Sequence, residues 1–221
     1  MNLNYGIKMT KRLSDLRKEY LFSSLDEKTI DSDPFKQFSN WFEDAINAEV
    51  EEPNAMVLST ADLTGNVSAR VVLLKGVDQG GFVFFSNYQS RKGSQLALNP
   101  LAALTFHWQS IGRQIRVEGR VKKVSRKESV SYFNNRPHDS RVSACISPQS
   151  VIIPDRSFLE AMREGFLLDL GDSPAQCPEN WGGYMLRPTM VEFWQGRPHR
   201  LHDRLRYQRS GNNWKLERLA P

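Results

Sequence analysis

The apolar positions of this chain change their rhythm as the chain proceeds. Between residues 34 and 46 they fall three and four apart: Phe35, Phe38, Trp41, Phe42, Ala45 and Ile46. That is the spacing of one helix face, and the stripe reads as core packing. Asp33 is placed to cap the helix, and Pro34 suits its first position, where no amide bond is lost. From Ala55 the pattern turns to short apolar runs and alternation. Residues 56–60, 67–75 and 82–86 read as strands, with turn signals at Asp62-Leu63-Thr64-Gly65-Asn66 and Asp78-Gln79-Gly80-Gly81 between them. A short helix is predicted from Ser90 to about Asn99, then strands over 101–108 and 113–124. The second of these alternates Ile115, Val117 and Gly119 against Arg116, Glu118 and Arg120.

Helical spacing returns at 127–135, stopped by Pro137, and at 140–146. A third helix is predicted over 155–167, with Phe158, Leu159, Met162 and Phe166 as its buried stripe. Strands over 183–187, 190–195, 200–208 and 214–219 close the chain, the last two joined by Gly211-Asn212-Asn213. The sum is an α+β protein, a barrel-like antiparallel sheet of seven or eight strands with helices at its ends. Residues 1–30 are polar and bury little, so they read as an N-terminal arm, mobile in part. Residues 31–221 read as a single domain.

Composition narrows the function classes. The 221 residues carry a net charge of +5 and 25% charged side chains, which suits a soluble globular protein. The two cysteines, Cys145 and Cys177, have neither disulfide-framework nor metal-ligand spacing. No apolar run is long enough to cross a bilayer, and the first residues lack a secretory pattern, so a cytoplasmic location is expected. The four histidines show no zinc spacing, so no metal is expected. Nucleophile-elbow, metalloprotease, P-loop and dinucleotide fingerprints are absent.

Cationic groups gather instead. Arg70 and Lys75 bracket the second strand, five apart, which strict alternation places on opposite faces. Ser86, Ser90, Arg91 and Lys92 sit where a strand gives way to a helix, a setting that suits a phosphate. Tyr132 and Arg136 share a helix face, with Ser140 four further on. Lys122, Lys123, Arg126 and Lys127 read as a solvated strand edge. The densest stretch is Trp194-Gln195-Gly196-Arg197-Pro198-His199-Arg200-Leu201-His202-Asp203-Arg204. In a strand, Arg200, His202 and Arg204 share one face, which either lies in water or binds an anion. Phosphate-type groups without a nucleophile suggest a protein that positions an organic cofactor.

These residues, in this order, resemble the pyridoxine/pyridoxamine 5'-phosphate oxidase family. The resemblance rests on Arg70-Val-Val-Leu-Leu-Lys75, Phe85-Ser86-Asn87 with Ser90-Arg91-Lys92, Tyr132-Phe-Asn-Asn-Arg136-Pro-x-Asp-Ser140, Ser147-Pro-Gln149-Ser150, Trp181-Gly-Gly, Glu192-Phe-Trp194-Gln-Gly, His199-Arg200-Leu-His202-Asp203-Arg204 and the ending Arg218-Leu-Ala-Pro221. It spans about residue 10 to the C-terminus. It implies an FMN-binding split β-barrel working as a homodimer, with FMN at the subunit interface. It implies oxidation of pyridoxamine or pyridoxine 5'-phosphate to pyridoxal 5'-phosphate, by hydride transfer to FMN and reduction of O2 to H2O2. By position, FMN falls to Arg70, Lys75, Ser86, Arg91, Lys92, Gln114, Gln149, Ser150, Trp194 and Arg204. The substrate phosphate falls to Lys75, Tyr132, Arg136 and Ser140. Arg200 and His202 are implied to lie against the pyridine ring as the catalytic pair, with His202 orienting or structural. Arg17 and Tyr20 are implied to belong to an arm that closes over the substrate. Phe85 departs from the tyrosine common at its place. Two rival classes remain: a split-barrel flavin carrier without oxidase activity, and a nucleic-acid-binding β-barrel suggested by the sequence pI near 9.3. The second would be colourless and lose affinity steeply with salt.

Overall fold

The computed structural model describes residues 24–78 and 80–221. Arg17 and Tyr20 therefore lie outside the described residues. Nine strands and five α-helices alternate along the described chain. Helix α1 (Pro34–Asn47) begins as expected, the Asp33 carboxylate accepting from the Phe35 amide at 2.9 Å. It buries Phe38, Trp41 and Ala45 but leaves Ile46 more than half exposed. Strands β1 (Ala55–Ala61) and β2 (Val67–Leu73) form a hairpin, followed by β3 (Gly76–Asp78) and β4 (Gly81–Asn87). Helix α2 (Arg91–Leu98) separates them from β5 (Leu101–Trp108) and β6 (Arg113–Lys123). Helices α3 (Arg126–Asn134), α4 (His138–Ile146) and α5 (Arg156–Leu170) come next, then β7 (Trp181–Gln195), β8 (Asp203–Ser210) and β9 (Asn213–Arg218).

All neighbouring strands pair antiparallel. The order is β2-β1-β5-β6-β7-β4-β3, and β8 with β9 extends from β7. Strand β7 organises the sheet. One edge pairs with β6 along almost its whole length; the other pairs with β4 over its first half and with β8 over its second. A register shift at Glu118/Gly119, opposite Pro188, lets this long strand bend. The curled sheet closes on a core of aromatic rings. Phe38 meets Phe82 edge-on at 5.0 Å, and Trp41 meets Phe193 edge-on at 5.1 Å. Such pairs add roughly 0.5–1.5 kcal/mol each beyond their burial.

Four expectations need correction. The strand expected over 67–75 breaks after Leu73, and β3 starts at Gly76. The face conflict between Arg70 and Lys75 disappears, because Lys75 sits in the break. The two strands expected over 183–195 are one, continuous through Pro188. The last-but-one strand starts at Asp203, not residue 200, because Pro198–Arg200 form a 3-10 turn with His199 and Arg200 at positive φ. Arg200, His202 and Arg204 therefore do not share a strand face. Finally, the stripe of α5 is not buried: no residue of that helix is, and Phe158 is exposed.

Helix α2 docks so closely that its third residue must be glycine. A β-carbon on Gly93 would stand 2.1 Å from the Tyr88 carbonyl oxygen, and backbone cannot yield as a side chain can. Gly93→Ala is expected to destabilise the protein by about 2–3 kcal/mol or more, read as a fall in urea midpoint. It should also weaken any ligand that depends on the start of α2. A melting curve matching the parent's would contradict this docking.

Candidate active site

The end of β4 and the start of α2 bring the first cationic group together. Ser90 caps α2 through its hydroxyl, which accepts from the Gly93 amide. That cap turns the chain so that Lys92 points inward, beneath Ser86. Its Nζ donates to Ser86 Oγ at 3.0 Å, Ser90 Oγ at 3.1 Å and Gln149 Oε1 at 2.7 Å. All three acceptors are neutral. Lys92 is only 9% exposed, so burial, aided by the nearby Arg70 cation, pushes its ammonium down to about 8.

Arg70 reaches the same place from β2. Its Nη1 donates to Thr60 Oγ1 at 2.7 Å and to the Leu58 carbonyl at 3.2 Å. Its Nη2 donates to Ser68 Oγ. Gln95 Oε1 accepts from both of those hydroxyls, at 2.6 and 2.8 Å. Burial and then the Arg91 charge lower the Arg70 guanidinium. Thr60, Ser68 and Gln95 hold Arg70 in place without touching the cleft. Sequence reasoning missed them, and the signal was a polar residue on the buried side of a strand or helix.

A second group faces the first. Tyr132 on α3 lies nearly parallel to Phe85, ring centroids 3.9 Å apart. Arg136 follows in the turn between α3 and α4, and its Nη1 is buried without a hydrogen-bond partner. Burial lowers its guanidinium as well. Ser140 stands in the first turn of α4. Arg70, Lys75, Ser86, Lys92, Tyr132, Arg136, Gln149 and Trp181 line one cleft of about 350 Å³. Among the described residues, no aspartate or glutamate lines it. Four cations facing one space, two of them with buried nitrogens and no carboxylate, make an anion site. Arg91 opens α2 with its side chain exposed, and Ser150 follows Gln149 at positive φ. Neither lines the cleft in this chain.

The remaining site residues gather elsewhere. Gln114, Trp194 and Arg204 are direct partners across β6, β7 and β8, one row of the sheet. The His202 ring lies 4.6 Å from the Trp194 ring. Its Nδ1 accepts from the Arg197 amide, which leaves the proton of the neutral ring on Nε2. Burial and the Arg200 charge lower the His202 pKa, which favours the neutral ring. Arg204 donates to Glu192 Oε1 at 2.8 Å, which raises its pKa, and also to the Ala220 carbonyl. Arg200 is exposed on its turn. None of these five lines the cleft. Trp181 and Trp194 stand thirteen positions apart on β7, a contour on the order of 40 Å. The residues predicted for the site thus fall into two groups, at opposite ends of one strand.

Residues 42–166 match the family model for pyridoxamine 5'-phosphate oxidase. The chain belongs to that family. Residues 181–221 match a second model, the pyridoxine 5'-phosphate oxidase C-terminal dimerisation region. This includes the whole of the Gln195–Arg204 run and the end of the chain. The pyridoxine/pyridoxamine 5'-phosphate oxidase of Polynucleobacter asymbioticus is 54% identical over 209 residues, covering 95% of this chain and 99% of the relative. That of Paraburkholderia phytofirmans is 53% identical with the same coverage. Among solved structures, PhzG from Burkholderia lata 383, in complex with tetrahydrophenazine-1-carboxylic acid, superposes with a TM-score of 0.84. It is 33% identical, over 90% of this chain and 99% of PhzG. A pyridoxamine 5'-phosphate oxidase-related, FMN-binding protein from Nostoc punctiforme superposes at 0.69 with 17% identity, over 87% of this chain and all of that one. The family confirms the FMN-binding split-barrel fold expected from the resemblance. No helix among the described residues is long and apolar enough to cross a membrane.

Proposed function

We propose that this protein oxidises pyridoxamine 5'-phosphate and pyridoxine 5'-phosphate to pyridoxal 5'-phosphate, using FMN and O2. The observation that carries the reading is the carboxylate-free cleft with its buried Lys92 and Arg136 nitrogens. A flavin that bears a phosphate and a substrate that bears another fit two cationic groups on facing walls. Written in full, the amine plus O2 and water gives the aldehyde, ammonia and H2O2; the alcohol plus O2 gives the aldehyde and H2O2.

FMN would supply the two-electron acceptor. Lys92, Ser86, Arg70 and Gln149 would bind its phosphate, with Arg91 and Ser150 alongside. Tyr132, Arg136 and Ser140 would bind the substrate phosphate, and Lys75 would stand between the two ligands. Trp194, Gln114 and Arg204 would pack against the flavin. Arg200 and the neutral His202 would hold the pyridine ring, the reactive carbon facing the flavin. Orientation of this kind can lower a barrier by about 7–11 kcal/mol. Arg17 and Tyr20 would close the site.

The two half-sites meet only if a second copy supplies one of them, so the reading includes a homodimer with FMN at the interface. The dimerisation-region match supports this. So does the outer face of the first hairpin, where Val57 pairs with Val71 and both side chains are exposed.

The purified protein is expected to be yellow and to release one H2O2 per pyridoxal 5'-phosphate formed when pyridoxamine 5'-phosphate is added in air. A colourless protein, or a yellow one that releases no peroxide, would overturn the reading. The second outcome would leave a flavin carrier.

A further inference from the structure

Three aromatic rings form the wall on which the substrate-phosphate group stands. Phe85 and Tyr132 stack at 3.9 Å with 16° between planes. Phe85 and Trp181 lie 5.6 Å apart, also at 16°. Tyr132 and Trp181 are parallel to within 2° at 6.3 Å. Trp181 is 6% exposed and meets Phe133 of α3 edge-on at 5.2 Å. The Arg136 guanidinium carbon lies 4.7 Å from the Trp181 ring centroid. Arg136 has no carboxylate partner among the described residues, and one of its terminal nitrogens has no hydrogen-bond partner at all. The guanidinium also lies 5.9 Å from the Phe133 ring centroid, so the indole is the nearer of the two aromatic faces that hold this side chain.

The glycines after Trp181 make the wall possible. A β-carbon on Gly183 would stand 2.8 Å from Phe85 Cε1, and one on Gly182 would stand 2.1 Å from the Tyr88 hydroxyl. Trp181-Gly182-Gly183 therefore works as a unit: one large flat ring, followed by room for a second.

We propose that Trp181, backed by Phe85, is the positioning residue for the substrate phosphate, holding the Arg136 guanidinium and the Tyr132 ring in their binding geometry before ligand arrives. The inference rests on the oxidase reading of the same cleft. A guanidinium on a four-bond stem otherwise samples many rotamers, and fixing it in advance removes that cost from binding. The indole face fixes it while leaving its donors free for phosphate, which a carboxylate partner would not.

The test uses the flavin-loaded protein with Trp181→Leu and Trp181→Phe. Two quantities are read for each: KM and kcat for pyridoxamine 5'-phosphate, and the Kd of pyridoxal 5'-phosphate by titration calorimetry. For Trp181→Leu, KM and Kd are both expected to rise by about ten-fold or more, while kcat falls by less than about three-fold. Trp181→Phe, which keeps an aromatic face, is expected to recover most of the loss. Unphosphorylated pyridoxal provides the control, because its weak binding should be the same in all three proteins. An unchanged Kd for pyridoxal 5'-phosphate in Trp181→Leu overturns the inference. So does a loss that Trp181→Phe fails to recover, or one that falls equally on unphosphorylated pyridoxal. A parent protein that binds pyridoxal 5'-phosphate but oxidises nothing would sink the oxidase reading instead, and the calorimetric comparison would still decide the role of Trp181.

Discussion

Lys92→Met is expected to strip the protein of FMN while leaving the apoprotein at least as stable as the parent. The side chain is buried among three neutral acceptors, and a second cation, Arg70, stands nearby. Its charge is a cost to the empty fold and an asset only when an anion arrives. Removing one charge-assisted bond to phosphate from such a setting should weaken FMN by about a hundred-fold. Flavin-fluorescence titration reads this directly, and unaltered affinity would sink the assignment. The pH dependence has a definite sign. The Lys92 pKa falls from 10.5 when unfolded to about 8 when folded. Between those values the unfolded chain binds more protons, so apoprotein stability rises with pH across the window. Below about pH 8 the full penalty is present, on the order of 3 kcal/mol. Bound phosphate favours the charged form, so the FMN-loaded protein should show little of this rise. In Lys92→Met the rise should vanish from the apoprotein too.

Two inactive variants are expected to regain activity when mixed. Lys92→Met damages the cleft half of the site, and Arg200→Leu damages the half beyond Trp194. Arg200→Leu alone should lower turnover far more than it weakens FMN, since Arg200 would face the substrate ring. If each complete site takes one half from each copy, a mixed dimer holds one doubly damaged site and one intact site. Every mixed dimer has one intact site of two, so about half of the parent activity per dimer should return. The measurement is peroxide release after co-expression and isolation of doubly tagged dimers. If both halves of a site came from one chain, every site in every dimer would stay damaged, and no activity would return. That null result would reject the shared site outright.

Much of this was legible in the sequence wherever one physical rule acted alone. Asp33 and Pro34 marked the start of α1 because capping is local. The alternation of β6 marked its buried face because Ile115, Val117 and Val121 pack on one side only. The cleft's two groups were legible as clusters of cations and hydroxyls, since these recurred at element boundaries. The reading failed where a rule was applied past its range. Alternation placed Arg200, His202 and Arg204 on one face, but Gly196 and Pro198 had already turned the chain, and His199 and Arg200 take left-handed backbone. Helical spacing put Phe158 and Phe166 in a core, but among the described residues α5 packs mainly on α4 and buries none of its side chains. The strands expected over 183–187 and 190–195 left Pro188 in a gap, but the bulge opposite it keeps β7 continuous. The separation of the site into halves was not legible at all. It follows from the length of β7, which appeared as two short strands.

That single strand has a mechanical consequence. In the proposed dimer each copy of β7 is a tie-rod whose two ends reach different reaction chambers. Trp181 sits under the phosphate grip of one, and Trp194 lies beside the ring-holding groups of the other. A displacement along the rod would therefore be shared between the two chambers. The bulge at Glu118/Gly119, the register shift in the pairing of β6 with β7, is where such a push would be taken up. Stiffening or loosening it would tune the conversation between the chambers without touching either.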